Sequence, residues 1–341
     1  MKAKIRAVAV LLTVLMTVFQ PSLIIFASDG DACQGEHASF SSKGVCTECG
    51  AKKDGFTSLY GNSLTLNDYI AVNFYLDIDL EIAEGGYVLV GLESDYGDEN
   101  KVVRTPVESL SEKLIGGKAY YTVSYGVPAK DIASPVKAVV VKADGTEGTE
   151  YLYSVQDYVD AIADKEIGGE ITEELKALVE AIGVYGKNAA AVLSGGEIQE
   201  TVTGVDFSDV PNAGGEKIGT EIRLSQLSLE LKSSIRLRVY FGITSEAEER
   251  GFTVKVNGKA VNAVKVQNGV WCIEHSVPAS RLSEFFSFVI TSGESSLTVD
   301  LSALYYAKIM HGQGKTEAEK NLMRAIKLYS DAAEAYAESI K

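Results

Sequence analysis

The sequence predicts a mixed β and α protein: two tandem β-sandwich-like units, each followed by a helix pair, after a small zinc-ribbon-like segment. Three observations carry that expectation. First, the chain resembles itself. Ile70-Ala-Val-Asn-Phe-Tyr-Leu76 matches Ile235-Arg-Leu-Arg-Val-Tyr-Phe241, and Val127-Pro-Ala129 recurs as Val277-Pro-Ala279. Leu178, Ala181, Ile182, Tyr185 and Ala189 recur as Leu322, Ala325, Ile326, Tyr329 and Ala333, in the same order. Second, the body of each copy alternates apolar and polar residues at the strand period of two and is punctuated by turn signals such as Asp144-Gly145, Asn257-Gly258 and Asn268-Gly269. Short strands spaced in this way suggest a sandwich. Third, each copy closes on segments whose apolar residues recur at gaps of three and four, a narrow helical seam that must bury against something.

From the N-terminus, Lys2, Lys4 and Arg6 precede an apolar stretch at residues 8–19, and Ala27 is small enough for a cleavage position, so residues 1–27 read as a secretory signal peptide. Pro21 interrupts the run short of the ~20 apolar residues that a spanning helix needs. The mature protein is expected to be extracellular, secreted or associated with the cell surface, and not an integral membrane protein after cleavage. The chain carries 32 Lys and Arg against 47 Asp and Glu, a net charge of −15, and removal of the three basic residues of the signal takes it to −18. Such a surface repels phosphate backbones, so nucleic acid is not an expected partner.

Residues 28–55 hold the sharpest cluster, Cys33-x3-His37-x8-Cys46-x2-Cys49-Gly50. Thiolates and imidazole are preferred zinc ligands, four of them close a tetrahedral structural site, and Cys-x-x-Cys-Gly lets one tight turn present two sulfurs. The segment has few large apolar residues, so a metal would supply folding free energy that a core cannot. Cys33, His37, Cys46 and Cys49 are the expected ligands of a structural zinc. The extracellular compartment leaves a disulfide involving Cys46 or Cys49 open, although three clustered cysteines cannot all pair among themselves.

The first unit is expected over residues 56–193. Ser154 with Asp157 is placed to cap its first helix, and Thr172, followed by Glu173 and Glu174, its second. A Gly-, Asp- and Ser-rich linker is expected over 194–219, largely irregular and flexible. The second unit covers 220–341, with Ser302 and the Thr316/Glu319 capping box repeating the helix starts. Whether the two long helices pair with each other or each lies on its own sandwich is not decided by the pattern.

The stretch from Leu64 through Ile70-Ala-Val-Asn-Phe-Tyr-Leu-Asp77, with Tyr153-Ser-Val-Gln-Asp-Tyr158, Leu178-Val-Glu-Ala-Ile182 and Val184-Tyr-Gly186, resembles a recurrent module of uncharacterised exported proteins of Gram-positive gut bacteria. Ser302-Ala-Leu-Tyr-Tyr306 and Met323-Arg-Ala-Ile-Lys-Leu-Tyr-Ser-Asp-Ala-Ala333 resemble the module that commonly follows it. The resemblance implies an extracytoplasmic, often surface-displayed role and brings no catalytic residues with it.

Other chemistry-bearing residues have structural readings. Cys272 and His275 lie three apart on an expected strand and should point to opposite faces, which leaves Cys272 a core thiol. His311 is expected at the end of a helix over 302–310. Asp77 and Asp79 suggest a solvated edge, and the acidic stretch 95–100 a polar turn, although a calcium ion is conceivable there. Tyr121 and Tyr125 share a strand face, as do Phe74 and Leu76, and core packing is their simplest role. There is no phosphate-binding glycine loop, no Gly-x-Ser-x-Gly elbow and no His-Glu-x-x-His. The sequence therefore points to a non-catalytic interaction or scaffold protein, adhesin-like, that recognises a protein or glycan. The alternative is an extracellular glycan-active hydrolase using a carboxylate pair.

Overall fold

Antiparallel pairing dominates this mixed α/β molecule in the computed structural model, which describes residues 39–66, 69–164, 171–195, 200–313 and 316–341. The strands β1 (Thr57–Thr65), β2 (Ala71–Ile78), β3 (Tyr87–Leu92), β4 (Val103–Pro106), β5 (Ser111–Ile115), β6 (Lys118–Gly126), β7 (Val136–Val141) and β8 (Tyr151–Tyr153) lead into helices α1 (Val155–Ala163) and α2 (Glu173–Leu193). Next come β9 (Gly215–Ile218), β10 (Ile222–Leu231), β11 (Ile235–Ile243), α3 (Ser245–Arg250), β12 (Thr253–Val256), β13 (Lys259–Ala260), β14 (Val264–Gln267), β15 (Val270–Val277), β16 (Phe286–Ser292) and β17 (Ser295–Leu301). Helices α4 (Ala303–Gln313) and α5 (Glu317–Ser339) complete the described chain.

The strands form sheets in the orders β1-β2-β6-β5 and β4-β3-β7-β8, then β10-β11-β15-β14 and β13-β12-β16-β17-β9. The second pair of orders repeats the first, with β9 added at one edge. The register of β1 on β2 shifts between Leu59 and Gly61, and that of β10 on β11 shifts 165 residues later, between Leu224 and Gln226.

The apolar alternation in the sequence marks the core face, cleanly in β11, while β2 is buried on both faces. Val72, Phe74 and Leu76 of β2, and Leu237, Val239 and Phe241 of β11, are fully buried on one face of their strands. They join one apolar core with Val88, Val90, Val136, Ala138 and Val140 in the first half and Phe288, Ile290 and Leu301 in the second. The sheets of the second half meet through side chains, since the His275 ring on β15 lies 4.5 Å from that of Phe286 on β16. Turn chemistry fixes the hairpins. Asn257 and Gly258 both take positive φ (47° and 78°) between β12 and β13, which a type I′ turn requires and which asparagine and glycine tolerate best.

The helix caps form where the sequence places them. Ser154 and Asp157 make a reciprocal capping box at α1, Thr172 accepts from the Leu175 N–H at α2, and Thr316 and Glu319 make a second box at α5. The two long helices pair with each other. Their seams, Leu175, Leu178, Ile182, Tyr185 and Ala189 on α2 and Leu322, Ile326, Tyr329, Ala333 and Tyr336 on α5, are buried. At the centre the rings of Tyr185 and Tyr329 stack with centroids 5.3 Å apart and planes 16° from parallel. Each helix also rests on a turn of its own half. A Cβ at Gly186 would come within 2.7 Å of Ile132, so only glycine lets α2 lie this close to the turn at Ala129–Asp131. The β1–β2 connection touches the other half as well, with the Ile70 N–H donating to the Ser233 carbonyl at 2.8 Å.

The expected flexible linker is not a loose tether. Asn321 of α5 accepts from the Val202 N–H (3.1 Å) and donates to the Glu200 carbonyl (2.9 Å), while Val202, Phe207 and Val210 are buried. Lys327 reaches Asp209 at 3.0 Å, and Lys308 donates to the Val210 carbonyl at 2.6 Å. Residues 215–218 then add a strand, β9, to the β17 edge. Three apolar side chains and a few hydrogen bonds to α4 and α5 suffice to hold a stretch whose composition reads as irregular. Among the described residues no helix is long and apolar enough to cross a membrane.

Candidate functional site

Of the four expected zinc ligands, Cys33 and His37 lie outside the described residues, and Cys46 and Cys49 sit on one turn. The chain at 39–52 makes a miniature hairpin with isolated bridges Phe40–Cys46 and Val45–Lys52. The Cys46 N–H donates to the Ala51 carbonyl (2.8 Å), and the Gly50 N–H closes the turn on the Cys46 carbonyl (3.0 Å). Cys46 is buried and Cys49 exposed. Among the described residues no three His, Cys, Asp or Glu side chains converge closely enough to hold a metal.

This hairpin is fastened to the first sheet by Asp54, which sequence reasoning passed over. Its carboxylate accepts from the backbone N–H groups of Phe56 (2.9 Å), Thr57 (2.6 Å) and Thr149 (2.6 Å), and from the Thr57 hydroxyl. Burial pushes its pKa up, but these hydrogen bonds outweigh that effect and hold the carboxyl below the ordinary carboxylate range. Lys52 adds an ion pair to Asp77 at 3.2 Å. Asp77, expected on a solvated edge, is instead an anchor, because Lys118 pairs with it at 2.7 Å from the far side. Its pKa too is raised by burial and lowered further by Lys118 and Lys52, with a net depression.

Asp77 belongs to the outward face of the first sheet, the face opposite Phe74 and Leu76. At the bulge in β1 the extra residue is Tyr60, released from the strand alternation, and its ring meets that of Tyr120 on β6 with centroids 4.2 Å apart. Strand β2 lies between β1 and β6, so the pair spans the middle of the sheet. Tyr75 is buried on the same face, with its hydroxyl 2.9 Å from Ser63 Oγ. Beside it runs a neutral hydrogen-bonded strip: Ser124 donates to Asn73 Oδ1 (2.6 Å), and Asn73 Nδ2 donates to Ser63 and Thr65 (3.1 Å each). Lys113, paired with Tyr120 in the ladder, carries its ammonium to 5.1 Å from the Tyr75 ring centre. The result is a half-buried aromatic platform with a polar border and lysines around it.

The corresponding face of the second half is different. Tyr240 takes the ladder place of Tyr75, but Arg236, Arg238 and Lys232 surround Glu230 and Glu274, with Arg238–Glu230 at 2.9 Å and Lys232–Glu230 at 3.0 Å. These charges pair with one another, with Glu230 Oε2 and Arg238 Nε left without a hydrogen-bond partner among the described residues, and no tyrosine pair like Tyr60–Tyr120 is found on that face among them.

The remaining candidates are accounted for by structure. Cys272 and His275 point to opposite faces of β15; burial raises the thiol pKa, and burial together with Arg281 lowers that of the imidazole. The helix expected to end at residue 310 continues through Gly312 to Gln313, so His311 lies within α4, its ring 5.2 Å from Phe207 of the docked connection. The 95–100 stretch is a polar turn in which Lys101 pairs with Asp95 (3.0 Å) and Asp98 accepts from the Asn100 N–H (3.1 Å). Asp157 belongs to its capping box, and Tyr121 and Tyr125 pack on the core. Asp79 accepts from the N–H groups of Glu81 and Ile82 in the turn after β2. Comparison of the chain with protein-family models and with curated proteins finds no match.

The depressed Asp54 pKa sets a direction for acid stability. Its contribution is complete above the unfolded-state value of about 3.9 and is lost as pH falls through the lower folded-state value. Asp54→Asn should cost about 1–3 kcal/mol at pH 7. It should also flatten the loss of stability on acidification, read as the urea midpoint from pH 7 down to pH 2. An unchanged midpoint at pH 7 would show that Asp54 does not fasten this segment.

Proposed function

We propose that the mature chain is a non-catalytic secreted or surface-associated interaction protein, adhesin-like, whose recognition surface is the outward face of the first sheet around Tyr60 and Tyr120. The observation that carries this reading is the tilted tyrosine pair, half-buried and bordered by an ordered neutral strip, on a face whose counterpart in the other half is closed by its own ion pairs. Aromatic rings offer contact area at small entropic cost, and hydroxyl and amide groups beside them give orientation.

In this reading the protein is a duplicated one, with β-sandwich-like units at 56–193 and 220–341, the second keeping the scaffold and the first carrying recognition. The repeated strand orders, the β-bulges 165 residues apart and the pairing of α2 with α5 support it. The docked connection argues for a single rigid body that displays one face rather than two independent sites on a tether. The rival hydrolase has less support. Each described carboxyl group displaced from its ordinary acidity is shifted downward, whereas a glycosidase general acid needs the reverse.

Residues 28–55 complete the proposal as a zinc-ribbon-like segment with Cys33, His37, Cys46 and Cys49 as ligands. The Cys46–Cys49 turn closed by Gly50 suits two thiolates of a tetrahedral site, and a bound zinc would supply folding free energy to a segment with little core. Metal analysis of protein purified without reductant should find one zinc per chain. A stoichiometric disulfide involving Cys46 or Cys49, with no metal, would remove this part of the proposal.

Recognition is tested by screening the mature protein against host proteins and glycan panels, with a hydrolysis assay on the same glycans. Saturable binding without turnover is expected, weakened about tenfold or more by Tyr60→Ala or Tyr120→Ala and unchanged by Arg223→Ala, whose residue lies on β10 opposite Gly242, on the face of Arg236 and Arg238 in the other half. Turnover that one carboxylate substitution abolishes would overturn the reading.

A further inference from the structure

The lysines around the tyrosine platform are not equivalent. Lys118 and Lys52 are both committed to Asp77, at 2.7 Å and 3.2 Å. The Lys113 ammonium is shielded from solvent and has no hydrogen-bond acceptor among the described residues; it lies over the face of Tyr75. Burial lowers its pKa, the direction expected of a cation held without a counter-ion. Three lysines against one aspartate leave this face locally positive on a chain whose net charge is −15.

An ammonium without an acceptor is costly to keep from water, and a cation–π contact offsets only part of that cost. Lys113 lies on β5, an edge strand of its sheet, so its stem can swing outward by rotamer changes without disturbing the ladder. A ligand carboxylate would give it the acceptor it lacks and break no existing hydrogen bond. Engaging Lys118 or Lys52 would first require separation from Asp77. Ser63 and Asn73 are buried and hold the platform from beneath, so the exposed Ser124 hydroxyl and the half-buried Thr65 are the neutral groups that meet the hydroxyl groups of a sugar, and the Tyr60–Tyr120 pair suits its apolar face.

Resting on the reading of this face as the recognition surface, we propose that the ligand is a carboxylated glycan, a uronate- or sialate-bearing sugar whose ring packs on Tyr60 and Tyr120 and whose carboxylate pairs with Lys113. The contact is charge-assisted and close to the surface, so its strength falls as salt rises.

Calorimetric titration of the full mature protein with a hyaluronan tetrasaccharide and with 3′-sialyllactose, against the neutral sugars chitotetraose and lactose, tests this and separates uronate from sialate. At least one acidic sugar should bind about tenfold or more tightly than its neutral counterpart. Lys113→Met, which keeps the stem, should remove the difference, Lys113→Arg should retain it, and unchanged urea midpoints should show both variants folded. Equal binding of acidic and neutral sugars, still dependent on Tyr120, would overturn the carboxylate assignment and leave the recognition face standing. Failure of all four sugars, with a Tyr120-dependent protein ligand found in the wider screen, would overturn the glycan assignment alone. Acidic-sugar binding indifferent to Tyr60→Ala, Tyr120→Ala and Lys113→Met would overturn both.

Discussion

Tyr185 and Tyr329 stack at 5.3 Å where α2 and α5 meet, and the rest of the architecture depends on that seam. Each helix carries one narrow apolar stripe, and each stripe finds its cover in the other helix and in a turn of its own half. Neither half buries its long helix alone. Burying each large side chain of the seam contributes about 1.5–3 kcal/mol. The connection between the halves follows from the same interface, because Asn321, Lys308 and Lys327 hold residues 200–210 in place from α4 and α5. The Tyr185 hydroxyl has no partner among the described residues, so ring packing rather than hydrogen bonding stabilises the centre of the seam.

The repeated strand orders leave two outward sheet faces, and their chemistry differs. In the second half arginines and glutamates neutralise one another across β10, β11 and β15. In the first, the positions of Glu230, Arg238 and Glu274 carry Thr65, Asn73 and Ser124, a tyrosine pair stands beside them, and one lysine is left without an acceptor among the described residues. Surface ion pairs contribute little to stability, so the charged face is better understood as a soluble, closed surface than as a source of strength. Under the proposed reading, a ligand on the first face would meet side chains already ordered by the sheet, at little of the ordering cost that a mobile loop would impose.

Much of this was legible in the sequence. The strand faces of β2 and β11 followed from period-two alternation, the Asn257-Gly258 turn from its dipeptide, and the caps at Ser154, Thr172 and Thr316 from residue type and spacing. Those features are local, and local chemistry determines them. What the sequence concealed was partnership across long separations. Asp54 draws a hydrogen bond from Thr149, 95 residues away, and Lys118 reaches Asp77 across 41 residues. A β-bulge leaves no mark in an alternating pattern, so nothing in the sequence singles out Tyr60. The docking of residues 200–210 was hidden for a related reason: glycines mark the surrounding 194–219 stretch, while the buried Val202, Phe207 and Val210 determine where it lies.

The claim that the α2–α5 seam makes one cooperative body is tested most directly by scanning calorimetry of the mature protein. A single transition is expected, with calorimetric and van't Hoff enthalpies in agreement. Tyr329→Ala, which removes a buried ring worth about 3–5 kcal/mol, should lower that transition as a unit. Two separable transitions in the parent protein, with Tyr329→Ala moving only the one that belongs to the second half, would contradict the account.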